Sequence, residues 1–189
     1  MTDKIIITIS RGFGSNDVAI GKQVAKVLAI GYYDDQALQA MEGTRLRRAR
    51  EALAAGVPAD RALAAEEVFR LQVDQIRALA ERESFVIMGR AADYILRDMD
   101  GVIRINIHSG FEDSVRTIVE REGLTEAEAR AKIHSIDAGR AEFYLRHTGR
   151  VWNDPLSFDL TLNSASIGSQ NCVDLIVQYV GIWRRSHGL

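Results

Sequence analysis

The stretch ITISRGFGSNDVAIGKQVAKVLAIGYYD, residues 7–34, contains a β-branched run, a glycine-bearing turn and an amphipathic segment in that order. Ile5, Ile6, Ile7, Thr8 and Ile9 read as a buried strand, and Ile20, Val24, Val27 and Leu28 recur at helical spacing. Strand, loop and helix in succession is the opening of a phosphate-binding unit, whose loop reads GxxxxGK[ST]: backbone N–H groups cradle phosphate and the lysine reaches the outer phosphates. Here the loop is Arg11-Gly12-Phe13-Gly14-Ser15-Asn16-Asp17, with no lysine. Two readings stay open. In one, the amides at the helix N-terminus and Arg11 form an anion site. In the other, this is an ordinary turn, with Ser15 or Asn16 as N-cap and Asp17 complementing the helix dipole. Asp17 favours the second, because a carboxylate repels phosphate unless a metal or an arginine intervenes.

Outward from this unit, strands and helices alternate. Asp34 and Asp35 start a helical stretch over 36–55 that Gly43 interrupts and Gly56 and Pro58 end. A long helix over about 60–82 follows, with Leu63, Val68, Leu71, Val73, Ile76 and Leu79 on its core face. The period changes at Phe85–Met88, a short buried strand, and Gly89 turns the chain into a helix over 91–97. A strand over 102–107 precedes helices over 110–122 and 125–147, the latter opened by a capping box of Thr125 and Glu128. FDLTLNS, residues 158–164, contains a last short strand, and 169–185 a closing amphipathic helix. Such alternation predicts an α/β fold, a parallel sheet covered on both faces, with ligands beyond the carboxyl ends of the strands.

The chain has 189 residues, 47% of them hydrophobic, enough for one well-buried core and short for two. One domain is expected over 1–189. A net charge of −2 gives no electrostatic case for polymeric nucleic acid or a membrane surface as the main partner. Cys172 alone excludes an internal disulfide and reads as a buried structural thiol, which fits a reducing cytoplasm. No apolar run is long enough to span a bilayer, and no signal-peptide pattern opens the chain. The histidines at 108, 134, 147 and 187 lack metal-ligand spacing. The arginine-rich helical stretch around 45–50 and the long helix after it offer a surface for a homodimer.

Polar groups fall just after three strands: the loop from Arg11 to Asp17, then Gly89-Arg90 with Asp93, then His108-Ser109. The first two are expected to face one crevice. Arg90 reads either as a guanidinium forked onto a phosphate or carboxylate or as a surface residue starting a helix. The helix dipole disfavours a cation there, which supports the first reading. Asp137 and Arg140, three apart on a helix, share a face and can pair, as i,i+3 ions do on many helices.

Taken together, ITISRGFGS, GKQVAKVLAIGYYDD, VIMGRAADYIL, RINIHS and DAGRAEFYLRHTGRVWNDPLSFDLTLNS resemble the cytidylate kinase-like family, a divergent branch of the P-loop nucleoside monophosphate kinases. The resemblance implies a three-layer fold with five parallel strands and a mobile arginine-bearing lid over about 123–155. It also implies nucleotide partners and use of ATP with Mg²⁺. On that pattern Gly12, Phe13, Gly14, Ser15, Asn16 and Asp17 form the donor-phosphate loop, and Asp34 opens the acceptor segment. Gly89, Arg90 and Asp93 bind the acceptor, and Asp137 and Arg140 are the lid's DxxR pair. The resemblance implies transfer of a γ-phosphate to a pyrimidine nucleotide such as CMP, with Arg11, Arg90, Asp137 and Arg140 as the catalytic set. The chain departs from the family at Asn16, Asp17, Val18 and Ala19, so that the superfamily's lysine falls on Asp17 and its metal-binding hydroxyl on Val18 or Ala19. Met88 replaces the acidic residue before GR. These departures keep a second expectation in view: a kinase fold that binds a nucleotide or other phosphorylated ligand without turning it over, as a sensor or interaction module.

Overall fold

A computed structural model describes residues 4–55 and 61–188. Five strands, β1 (Ile6–Arg11), β2 (Gly31–Tyr33), β3 (Phe85–Met88), β4 (Val102–His108) and β5 (Leu160–Asn163), form one sheet in the order β2-β3-β1-β4-β5. Every pairing is parallel, with Ile6 opposite both Phe85 and Val102, and Ile105 opposite Leu160. The helices are α1 (Asp17–Leu28), α2 (Asp35–Ala40), α3 (Thr44–Ala55), α4 (Arg61–Arg82), α5 (Ala92–Ile95), α6 (Phe111–Glu122), α7 (Glu126–Thr148), α8 (Ser164–Ile167) and α9 (Ser169–Ser186).

The continuous apolar runs of β1, β3 and β4 follow from burial on both faces. Ile5, Ile7 and Ile9 pack with Val86, Met88, Ile103, Ile105 and Ile107 against Ile20 and Val24 of α1 and Cys172, Val173, Ile176 and Val180 of α9. Ile6, Phe85 and Ile87 face the other way, onto Ile76 and Leu79 of α4 and Ala92 and Ile95 of α5. A third, smaller cluster joins α6 to α7 through Val115, Ile118, Ala129 and Ile133, with Phe13 of the first loop packed on it. On the α4 face, β1 and β4 turn polar toward their middles: Thr8, Ser10 and Asn106 are buried there, and Thr8 Oγ1 and Asn106 Oδ1 have no hydrogen-bond partner among the described residues.

The fold class read from the sequence is the one observed, and Thr125 and Glu128 form the expected capping box at α7. Two features differ, and one expected break is not described. Gly43 splits 36–55 into α2 and α3 as expected, but the break assigned to Gly56 and Pro58 lies outside the described residues. The helix expected over 91–97 shrinks to α5, because Arg97 and Met99 bond three residues back, to Tyr94 and Leu96, and tighten the chain into turns. After β5 the chain makes the short α8, unanticipated, whose N-cap Asn163 accepts from the Ser166 N–H. Among the described residues no helix is long and apolar enough to cross a membrane.

Candidate functional site

The carboxyl ends of β1 and β3 open into a cleft of about 330 Å³ that α7 overhangs. Arg11, the last residue of β1, reaches across it. Its Nε donates to Asp17 Oδ2 at 3.1 Å, and its guanidinium lies against Gly89, where a Cβ would stand 1.8 Å from Nη1. Gly89 has φ +66°, so a side chain there would meet both steric and backbone strain.

The loop from Gly12 to Asn16 is held from two sides. Asn16 adopts φ 57°, the left-handed conformation, and starts α1 without a side-chain cap. Ser15, the other N-cap expected, instead donates its hydroxyl to Gly12 O at 2.9 Å and stabilises the loop itself. This corrects the capping reading: the helix begins on backbone geometry. Gly14 lies at φ +92° with Ser114 so close that a Cβ would stand 3.0 Å from its Cβ. Phe13 reaches over α6 and α7, its ring within 5.4–5.9 Å of the cationic groups of Arg121, Lys132 and Arg140. Its backbone N–H donates to both Asp137 carboxylate oxygens, at 3.0 and 3.3 Å. A carboxylate of the chain thus already takes a backbone amide of the loop.

Asp137 and Arg140 do pair, at 3.1 Å, and Arg140 Nη1 also donates to Arg11 O at 3.1 Å. These bonds tie α7 to the end of β1. Burial raises the pKa of Asp137, and the Phe13 N–H and Arg140 oppose that rise. Arg140 is pulled down by burial and then by the positive charge of Arg11. Two guanidiniums therefore share one half-buried space, an arrangement that an anion between them would relieve.

Arg90 and Ala91 follow Gly89 with φ 60° and 53°. Three consecutive left-handed residues swing Arg90 back over the cleft, so that it precedes α5 instead of standing in its first turn. Its guanidinium pairs with Asp35 and donates to Gln72 Oε1 at 3.2 Å, while Gln72 Nε2 donates to Arg90 O at 3.3 Å. Asp34 is placed elsewhere: it is the N-cap of α2, its Oδ1 accepting from the Ala37 N–H at 3.0 Å. Of this acidic pair, Asp35 is the one that lines the cleft. Asp93 lies at the cleft floor, 7% exposed, where Tyr144 of α7 donates to its Oδ2 at 2.6 Å. Burial raises the Asp93 pKa, and the Tyr144 bond works against it. Met88, by contrast, is wholly buried, its sulfur against Gly21 of α1.

The cleft therefore gathers Arg11, Gly89, Arg90, Asp93 and Arg140 from three separate segments, as expected of the first two strand ends. His108 and Ser109, at the end of β4, line no part of it; Ser109 bonds Ser114 instead. Sequence reasoning missed Asp35, Gln72 and Trp152. An acid next to Asp34 was the one available signal. Arg90 and Phe143 also border a second hollow of about 690 Å³, lined by Arg50, Phe69 and His147 between α3, α4 and α7. In it Phe69 stacks on His147 at 4.0 Å.

Among the described residues no three His, Cys, Asp or Glu side chains gather as metal ligands. Asp17 and Asp137 are each engaged by an arginine, and the side chains of Val18 and Ala19 carry no oxygen. The donor set of the described residues does not fit a Mg²⁺ cage.

A search among curated protein sequences finds no match. Among solved structures, an uncharacterized protein from Eubacterium ventriosum is 26% identical, with a TM-score of 0.77, covering 94% of this chain and 99% of its own. Shikimate kinase from Bacteroides thetaiotaomicron is 16% identical, with a TM-score of 0.54 over 98% and 99%. Shikimate kinase from Acinetobacter baumannii, in complex with shikimate, is 11% identical, with a TM-score of 0.55 over 94% and 93%. The two shikimate kinases share the fold. Residues 6–166 match the family pattern itself, and that span holds the loop, the cleft and all three arginines: the chain belongs to the cytidylate kinase-like family.

Proposed function

We propose that the protein is a nucleoside monophosphate kinase that transfers the γ-phosphate of ATP to a pyrimidine nucleotide, with CMP the acceptor. The observation that carries this reading is the convergence of Arg11, Arg90 and Arg140 on one cleft beside a glycine loop, in a chain of this family. Phosphoryl transfer asks for positioning and charge neutralisation more than for covalent chemistry, and guanidiniums supply both. The loop Gly12–Asp17 takes the donor phosphates. Arg90, swung over the cleft, forks onto the acceptor phosphate, while Gly89 lets Arg11 approach and Asp93 fixes the acceptor's polar edge. The neighbouring hollow between Phe69, Phe143 and His147 has room for the acceptor's base. Asp34 orders the acceptor segment through its cap on α2. Asp137 and Arg140 belong to a lid over 123–155 and close on acceptor and transferred phosphate.

In the transfer, an acceptor phosphate oxygen attacks the γ-phosphorus in line. The new O–P bond forms as the bond from γ-phosphorus to the β–γ bridging oxygen breaks, and ADP leaves with that electron pair. The acceptor oxygen is already anionic, so no general base is needed. A nucleotide that carries Mg²⁺ on its own phosphate and water ligands would bring part of the charge neutralisation with it. No step here depends on a protein ligand to the metal.

A second reading has its own observation. The loop carries Asp17 and no lysine, and the Asp137 carboxylate takes the Phe13 N–H. Both favour a protein that binds a phosphorylated ligand without turnover. Calorimetric titration with ATP–Mg²⁺ and with CMP, alone and together, followed by a coupled assay of ADP release, separates the two. Mutually reinforcing binding with ADP production is the expected result, and Arg90→Ala should weaken CMP binding about tenfold. Binding without ADP production selects the second reading; no binding of either nucleotide overturns the kinase reading, and no binding of pyrophosphate as well overturns the second.

A further inference from the structure

Asp17 reads in the sequence as hostile to phosphate, and the structure gives its charge a use. Arg11 Nε donates to Asp17 Oδ2 at 3.1 Å, and the two side chains are 20% and 10% exposed. This is the one hydrogen bond that the Arg11 side chain makes among the described residues. Nε lies on one edge of the guanidinium, so the bond leaves all four Nη hydrogens unspent. The amino groups lie over Gly89, where a Cβ would stand 1.8 Å from Nη1 and 3.0 Å from Cζ. An alanine there would push the fork aside without touching Asp17. The fork lines the cleft together with Arg140, and among the described residues each carboxylate around it is already engaged: Asp17 by the Nε edge of Arg11, Asp35 by Arg90, Asp137 by Arg140 and Asp93 by the Tyr144 hydroxyl.

We infer that Asp17 is a positioning residue: it grips Arg11 by Nε and turns the free fork of the guanidinium into the cleft, where it receives the phosphate oxygens of the donor nucleotide. The loop has no lysine; its cation is Arg11 at the end of β1, and the acid in the first turn of α1 is what seats it. An arginine so held offers two parallel donors to one phosphate, where a lysine offers a point charge. The inference rests on the proposal that the cleft binds nucleotide phosphates.

The test uses the wild-type protein, Asp17→Ala, Asp17→Asn and Gly89→Ala, each checked for folding by thermal unfolding. Affinities for ATP–Mg²⁺ and for pyrophosphate are measured by calorimetry, and the Arg11 Nε–H resonance is followed by ¹⁵N NMR in the ligand-free proteins, assigned with Arg11→Lys. Asp17→Ala should bind both ligands about tenfold more weakly and lose the protected Nε–H signal. Asp17→Asn, which keeps an accepting oxygen, should fall between it and wild type. Gly89→Ala should lose affinity while keeping Asp17. Equal or tighter binding by Asp17→Ala and Asp17→Asn would mean that the acid only repels the ligand, and a protected Nε–H that survives Asp17→Ala would mean that Arg11 is seated by something else; either overturns the inference. Wild-type binding of pyrophosphate but not of ATP, with the same order of variants, removes the donor nucleotide as the ligand and leaves Asp17 seating Arg11 for a phosphate. Binding of neither removes both.

Discussion

Tyr144→Phe isolates one buried hydrogen bond at the cleft floor. Tyr144 is 5% exposed and Asp93 7%, and the substitution removes one oxygen while keeping the ring that packs around it. The 2.6 Å bond from the Tyr144 hydroxyl is the Asp93 carboxylate's side-chain partner, and hydrogen bonds to charged groups contribute about 1.5–3 kcal/mol. A loss of about 2 kcal/mol at pH 7 is expected, which lowers Tm by about 4–8 °C in a chain of this size. The pH dependence has a definite sign. Burial raises the Asp93 pKa above its unfolded value, so the folded state holds the proton more tightly, and the group's contribution to stability is full below about pH 4 and is lost as the pH rises through the folded value. The Tyr144 bond stabilises the carboxylate and limits that loss. Without it the folded pKa climbs further, so the destabilisation should be larger at pH 8 than at pH 4.5. Urea denaturation of both proteins across that range reads the difference directly. A loss under about 0.5 kcal/mol, or one that is the same at both ends of the range, would refute the reasoning.

Phe13→Ala should cost about 2 kcal/mol by stripping the loop from the α6–α7 cluster, and amide exchange at Gly12–Asn16 should quicken; unchanged exchange would show that the ring does not anchor the loop. Thr125→Ala removes the acceptor for the Glu128 N–H and should cost about 1 kcal/mol in chemical denaturation, with no change in ligand binding. Asp137→Asn removes the charge that faces the Phe13 N–H and should tighten binding of inorganic phosphate about tenfold, roughly 1.4 kcal/mol, while ADP release falls. Unchanged phosphate affinity in calorimetry would show that the carboxylate does not compete for that amide.

The elements that were legible in the sequence are those whose signal is local. The isoleucines of β1, the abrupt Phe85–Met88 run and the Thr125–Glu128 box each fix structure through neighbours a few residues away. The cleft was half legible, because strand ends in a parallel sheet must meet on one side. What stayed hidden depended on backbone angles or distant packing. Nothing in the letters of Arg90 and Ala91 announces φ 60° and 53°, yet that pair decides where the guanidinium goes. Asp34 and Asp35 are chemically alike, and only the phase of α2 makes the first a cap and the second a partner of Arg90. Gln72 reads as one more polar residue on a long helix until α4 packs beside β3 and sets it 3% exposed against the Arg90 carbonyl.

The strand order β2-β3-β1-β4-β5 puts the first strand made at the centre of the sheet. Its two partners lie far along the chain, β3 at Phe85–Met88 and β4 at Val102–His108. A ribosome adding about 5–20 residues per second takes roughly 5–20 s to supply the roughly 100 residues between β1 and the end of β4. Until Phe85–Met88 emerges, the β-branched segment Ile5–Ile9 has neither edge paired, and its second edge waits for β4. Sheet formation is therefore a late, non-local and slow event, and contact order, more than stability, sets the burden this protein places on chaperones during synthesis.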